Sequence, residues 1–448
     1  METLRRAGQA LEETTSETVN GIKSLLGAVS DCLEEFQWPH NADDLTSFRI
    51  HADKYFRLAT NACIPDLELQ ERVLNKTEEW YAPVRWKLPD NYLSKEVFKT
   101  VLRRLDFSSS PGYPYCKRKQ TIGEWLGFDG FQFDPVQVDL LWMDVQRAIL
   151  GESELIMRVF IKQEPHKAAK AVEGRWRLIM AFPLAHQVLW HMLFDYMNDL
   201  EITKAAEIPS QQGIVLYGGA WKSHLARWKQ QGYDTGLDKS AWDWTYTYWL
   251  MQMDLQLRYR TGRGFKMMEW FQLATREYEL AFGVGAKFIT TDGYELEQLV
   301  PGLMKSGSVN TISSNSHAQA MLHALVCIEG GVDPDPYPAC CGDDTLQKMS
   351  QALIPLYEKY GVVVKSASEG MEFIGHEFLD SGPQPLYMRK HLNRFLHMKD
   401  EYLGDYLDGM SRLYAKTPYF EFWSWLGDVY DVPVPSKQYV NNWYDHSY

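Results

Sequence analysis

The chain has 448 residues, enough for about three domains of roughly 150 residues each or for one enzyme of coupled subdomains. Hydrophobic residues make up 45% and charged residues 23%, an ordinary globular composition that excludes a disordered, collagen-like or coiled-coil protein. The 46 Lys and Arg against 59 Asp and Glu leave a net charge of −13, which excludes a uniformly basic nucleic-acid coat and sends any polyanion to a local basic groove.

At the N-terminus, Val19, Ile22, Leu26, Val29 and Leu33 recur at helical spacing among acids, which predicts an acidic amphipathic helix. The opening segment mixes both charge signs where a signal peptide needs an apolar centre, and no run approaches the ~18 apolar residues of a membrane span. We therefore expect a soluble protein that is not secreted. The six cysteines, Cys32, Cys63, Cys116, Cys327, Cys340 and Cys341, have no CxxC spacing and read as reduced thiols. Residues 107–115, FSSSPGYPY, predict a turn-rich loop, followed by Lys117, Arg118 and Lys119. Residues 158–177 then hold six bases (Arg158, Lys162, Lys167, Lys170, Arg175, Arg177) and two acids (Glu164, Glu173), a local +4 in an acidic protein.

Further on, GYDTGLD at 232–238 predicts a strand ending in Asp238, and the apolar run after it predicts one long helix with Asp243 at its start. Asp292-Gly293 marks a hairpin, NTISSNSHAQAMLHALV a helix, and YPACCGDDTLQKM a second hairpin with Gly342-Asp343-Asp344 at its tip. The tail from about 382 predicts mostly helix. Two adjacent aspartates on a tight turn put carboxylates where hard divalent cations bind through oxygen. With a strand-end Asp238 converging on them, they suit two ions that clamp the attacking and leaving oxygens of phosphoryl transfer. Ser306, Thr311 and Asn315 form a polar stripe able to hydrogen-bond a ribose 2′-hydroxyl. The basic run, through Lys162, Lys167, Arg175 and Arg177, suits a triphosphate. His166, His317 and His376 lack partners at zinc spacing, so no zinc site is expected.

In chain order, SSPGYPY, IKQEPHK with GRWRLI, DKSAWD, SGSVNTISSN and GDD resemble the motif set of viral RNA-dependent RNA polymerases, with EFIGHEF similar to the hairpin that follows. The phrases are most similar to the sobemovirus, polerovirus and barnavirus group, including the sobemo-like viruses of invertebrates. The resemblance implies an α+β right-hand polymerase fold, with an antiparallel palm sheet and a small, mostly helical thumb. Its implied boundaries are 1–184 for an N-terminal extension and fingers and 185–261 for the first part of the palm, with fingers residues between about 205 and 230. A fingers insertion at 262–300, the rest of the palm at 301–381 and a thumb at 382–448 complete the layout. It also implies that Asp238, Asp343 and Asp344 hold Mg²⁺, with Mn²⁺ as the alternative ion. Asp243, Ser306, Thr311 and Asn315 would read the incoming ribose, and Lys162, Lys167, Arg175 and Arg177 would hold the triphosphate. Ser110, Gly112 and Tyr113 would touch the template.

A lysine after GDD, Lys365 or Lys359, would protonate the leaving pyrophosphate. Template and product RNA and NTPs are the implied partners, with a genome-linked protein as the primer and the host cytoplasm as the place of action. The short tail leaves room for an open channel that accepts a primed duplex, unless Trp423, Trp425, Trp443 and Tyr444 form a stacking platform for unprimed starts. The rival readings are a non-catalytic viral RNA-binding protein with a structural metal, a nuclease and a reverse transcriptase.

Overall fold

The structure, a computed structural model, describes residues 27, 29–40 and 42–446. The expected N-terminal helix lies largely outside the described residues. From residue 29 to 35 the chain is helical, with Val29 and Cys32 packed into a C-terminal apolar cluster. A short strand, β1 (Phe36–Gln37), leads to α1 (Asp44–Asn61), which begins where the Asp43 carboxylate accepts the backbone N–H groups of Leu45 and Thr46. Asp66 caps α2 (Leu67–Trp80) in the same way.

The basic run is built into a four-stranded sheet. In β2 (Ile156–Ile161), Met157, Val159 and Ile161 are buried while Arg158 and Phe160 occupy the other face, the alternation that the strand pleat imposes. β3 (His166–Lys167) pairs with β1, and β4 (Leu178–Ala181) returns antiparallel to β2 before α3 (Leu184–Thr203). The chain then forms β5 (Thr235–Lys239), α4 (Trp242–Thr245), α5 (Tyr248–Thr261) and α6 (Met267–Phe282). The expected hairpin at Asp292-Gly293 follows as β6 (Lys287–Ile289) and β7 (Glu295–Glu297), and β6 runs parallel to β2, giving the order β4-β2-β6-β7.

The apolar run after Asp243 is not the single helix its composition predicts. It breaks between α4 and α5 because Tyr246 turns to extended backbone and is claimed by other parts of the chain. Its hydroxyl donates to the Ser314 carbonyl at 3.1 Å, and its own carbonyl accepts the Leu303 N–H at 3.0 Å. Gly302, at φ +111°, passes so close that a Cβ there would stand 2.6 Å from the Tyr246 oxygen. Tertiary contact has overridden local propensity.

α7 (Thr311–Glu329) is buried on nearly every side between the central sheet and helices α2 and α5. The central sheet holds β8 (Ala339–Cys341), β9 (Asp344–Gln347), β5 and, after α8 (Ile354–Lys359), β10 (Val364–Glu369), in the order β8-β9-β5-β10 and antiparallel throughout. A three-stranded meander, β11 (Glu372–Phe373), β12 (His376–Leu379) and β13 (Gly382–Pro385), covers the EFIGHEF segment. The tail is helical as expected, with α9 (Met388–Leu396), α10 (Leu403–Leu413), α11 (Phe420–Val429) and α12 (Lys437–Asp445). Its aromatic rings pack these helices. Trp423 and Tyr444 are buried, Trp425 lies against Phe422, and Trp443 stacks on Tyr217 at 4.8 Å. Among the described residues no helix is long and apolar enough to cross a membrane. All six cysteines are free thiols.

Candidate active site

Three carboxylates meet at one end of the central sheet. Gly342, at φ +62°, makes the β8–β9 turn tight, because the left-handed region costs glycine no steric clash. The turn exposes Asp343 at its tip and starts β9 with Asp344 opposite Cys341. Thr345 pairs with Leu237, which brings the β9 start beside Asp238 on the neighbouring β5. Gly342 N–H also donates to Ser316 Oγ at 3.0 Å, tying the turn to α7. Asp238, Asp343 and Asp344 line a pocket of about 380 Å³ together with Lys365, Glu372 and Tyr387.

Burial, and then the charge of Asp343, push the Asp344 carboxyl up to about 6, against a hydrogen bond from the Ile374 backbone. Clustered carboxylates that repel one another are a donor set that a cation relieves. Among the described residues no three His, Cys, Asp or Glu side chains are close enough to enclose an ion alone. Mg²⁺ needs only one or two carboxylates beside water and substrate phosphates, so the donor set fits it. Lys239 is buried under this cluster with Nζ 3.1 Å from Thr345 Oγ1, and burial lowers its pKa to about 8 while the carboxylates pull the other way.

Of the two lysines left open by the sequence, Lys365 lies at the carboxylates, with Nζ 2.5 Å from Asp238 Oδ2. Lys359 does not. It pairs with Glu329 at the far end of α7, where Tyr360 also donates to that glutamate.

The second group surrounds Asp243. Ala241, at φ +48°, bends the chain sharply from β5 into α4, an unfavourable conformation for a residue with a Cβ. Asp243 accepts hydrogen bonds from Ser306 Oγ and from Asn315 Nδ2 at 3.3 Å, and its backbone carbonyl takes the Met304 N–H at 2.8 Å. Trp242 Nε1 donates to Asn315 Oδ1 at 2.9 Å and orients that amide. Burial pushes the Asp243 carboxyl up to about 6 despite the Ser306 hydroxyl. Thr311 does not join this group. Its hydroxyl lies 3.1 Å from the Lys305 carbonyl and 2.9 Å from that of Ser308, so it braces the loop that carries Ser306.

The basic residues differ in their partners. Glu164 pairs with Lys162 at 3.2 Å and Arg177 at 3.0 Å, and around it Arg177 is exposed and Lys162 half-buried. Burial would raise the Glu164 carboxyl, but Arg177 and its other basic neighbours hold it low. Lys167 is exposed on β3, where it pairs with Phe36 of β1. Arg175 departs from expectation. It is buried, bonded to Glu173 at 2.8 Å and Tyr55 at 3.4 Å, so it fastens this segment to α1 and offers no free fork to a phosphate.

Ser110 lines a second, polar cavity of about 810 Å³ with Ser108, Ser109, Arg158, Lys162 and Asp292. Arg158 donates to its hydroxyl at 3.3 Å. Gly112 and Tyr113 do not line that cavity. Gly112 is buried, and a Cβ there would fall 2.1 Å from the Phe182 carbonyl oxygen, so the glycine serves close packing. Tyr113 has Lys117 Nζ 4.7 Å from its ring centre. The sequence reading missed Tyr387 and Lys390, which come from a segment without a motif-like pattern, and Ser316, which follows Asn315 at the end of the KSGSVNTISSNS run but was not singled out. Lys390 on α9 is close enough to Glu164, Arg177 and Lys162 to feel their charges.

A family model described as viral RNA-dependent RNA polymerase matches residues 69–296, half of the chain, and another described as viral RNA-directed RNA-polymerase matches residues 279–407. The chain belongs to the viral RNA-dependent RNA polymerase family. Protein P1-P2 of turnip yellows virus is 28% identical over 80% of this chain and 37% of its own length. Replicase polyprotein P2AB of southern cowpea mosaic virus is 27% identical over 78% of this chain and 37% of its own. The RNA-directed RNA polymerase of mushroom bacilliform virus is 29% identical over 70% of this chain and 81% of its own. The chain thus spans little more than a third of the turnip yellows virus protein.

Proposed function

We propose that this chain synthesises RNA on an RNA template from NTPs to replicate and transcribe a positive-strand RNA genome, acting in the host cytoplasm. The observation that carries this reading is the convergence of Asp238, Asp343 and Asp344 on one pocket beside the Asp243, Ser306 and Asn315 network. In the right-hand layout the β8-β9-β5-β10 sheet with α7 is the palm (185–261 and 301–381), the β4-β2-β6-β7 sheet belongs to the fingers (within 1–184 and 262–300) and α9 to α12 form the thumb (382–448). The shared β2–β6 pairing supports grouping the 262–300 insertion with the fingers.

Asp238 and Asp343, supported by Asp344, would hold Mg²⁺ or Mn²⁺. Two bound metal ions would supply Lewis acidity to the attacking and leaving oxygens of the transfer. The remaining steps rest on the protein's own groups. Lys162 and Arg177, together with Lys167, would neutralise the triphosphate, and Ser110 with Arg158 would border the template path. Lys365, at the carboxylate pocket, would give its ammonium proton to the departing pyrophosphate. Incubation with primed RNA, divalent metal and labelled NTPs tests the reading: a polymerase lengthens the primer, a nuclease shortens it, and a binding protein leaves it unchanged.

Two outcomes follow. Asn315→Ala is expected to narrow the preference for ribonucleotides over deoxyribonucleotides by roughly 0.5–1.5 kcal/mol, the worth of one neutral hydrogen bond, with a smaller loss of maximal rate. Competition between the two sugars on one template measures it, and equal losses for both would assign Asn315 to packing. Because the C-terminal rings are engaged in packing, extension of a primed template, with an RNA or a genome-linked protein primer, is expected to exceed unprimed synthesis at equal NTP. Equal yields with and without primer would contradict that expectation.

A further inference from the structure

β10 and β5 are neighbours in the central sheet, with Val364 opposite Lys239 and Ser366 opposite Asp238. Two consecutive rungs on β5 therefore span three residues on β10, and Lys365 is the extra residue of a β-bulge. A bulge takes one residue out of the ladder and re-aims its side chain. Here the side chain is turned onto the carboxylates: Lys365 Nζ lies 2.5 Å from Asp238 Oδ2, although the side chain is 57% exposed. Among the described residues lining this pocket, Asp238, Asp343, Asp344 and Glu372 are acidic and Lys365 alone is basic. The nearby Lys239 is buried and directed to Thr345. One exposed ammonium thus balances part of an acidic cluster that Lys239 otherwise offsets only from beneath, on a carboxylate oxygen that the proposed metal requires.

We propose that Lys365 is a built-in competitor for the divalent metal: its ammonium caps Asp238 until a cation displaces it. This rests on the reading of Asp238 and Asp343 as metal ligands. The displaced side chain can turn to solvent, since it is more than half exposed, and is kept from Lys170 by the like charge the two feel. Metal binding and the position of Lys365 are then linked, and the linkage is reciprocal: whatever draws the ammonium away from Asp238 tightens the metal.

The experiment is Mn²⁺ binding, followed by the electron paramagnetic resonance signal of the free ion, on the whole chain without RNA or NTP. Lys365 is largely exposed, so Lys365→Gln leaves the core untouched, and Lys365→Arg keeps the charge as a control. Lys365→Gln is expected to bind Mn²⁺ roughly fivefold more tightly than the wild type, equivalent to about 1 kcal/mol, the upper end for an exposed ion pair. Lys365→Arg is expected to match the wild type, and Asp343→Ala to lose the site. Equal or weaker binding by Lys365→Gln, with the Asp343 dependence intact, overturns the competitor and leaves the metal ligands standing. Absence of any Asp343-dependent Mn²⁺ binding in all forms overturns both.

Discussion

Asp343→Ala is expected to lower nucleotide incorporation about a thousandfold, the consequence of losing roughly 4 kcal/mol of charge stabilisation in the transition state. Asp343 is exposed at the tip of the β8–β9 turn and fills no core volume, so the fold should change little. Labelled NTP incorporation on a primed template measures the loss, with the circular dichroism melt as the control. A folded Asp343→Ala protein that extends primers at near-normal rate would remove Asp343 from the metal site.

Asp254→Ala should be the most damaging substitution to stability, at about 3–5 kcal/mol, because it leaves a guanidinium buried without its counter-charge. Asp254 on α5 accepts from Arg258 Nε at 3.3 Å, Tyr278 on α6 at 2.6 Å, and Ser314 on α7 at 2.7 Å, and it lies 2.5 Å from His317 Nδ1. Arg258 in turn reaches Asn198 on α3 at 2.9 Å and Ser313 at 2.7 Å, so four helices share one polar network behind Asn315. Although burial favours the neutral imidazole, Glu201 and Asp254 outweigh it and raise the His317 pKa. That contribution is complete below the ordinary 6.5 of histidine and is lost as pH rises through the raised value. Urea unfolding at pH 6 and at pH 9 reads both effects: a large drop in midpoint for Asp254→Ala, and a smaller alkaline loss than in the wild type. A midpoint within error of the wild type would mean that the network is not holding the helices together.

The convergence of the carboxylates is legible where chemistry and local geometry coincide. A glycine before two aspartates reads as a hairpin tip, a strand ending in an acid reads as a converging carboxylate, and α7 announces itself by length and pattern. What sequence left hidden depends on partners far along the chain. Arg175 looks like its neighbour Arg177 until Tyr55 and Glu173 bury it, and Thr311 resembles Asn315 in pattern but turns back to its own loop. The helix break at Tyr246 is imposed by Gly302 and Leu303, some 56 residues away, and the bulge that aims Lys365 arises from strand register, which side-chain pattern does not encode. His317 was set aside for want of metal partners, yet its partners are two carboxylates on other helices, Glu201 and Asp254.

On the proposed function, RNA synthesis by this chain is directed by a template. Its most direct measurement is single-nucleotide extension: a primed RNA with one defined next base, a divalent metal, and each NTP supplied alone. The complementary NTP is expected to add one residue and the other three little, and changing the template base is expected to change which NTP is used. Addition of one preferred nucleotide whatever the template base would contradict it.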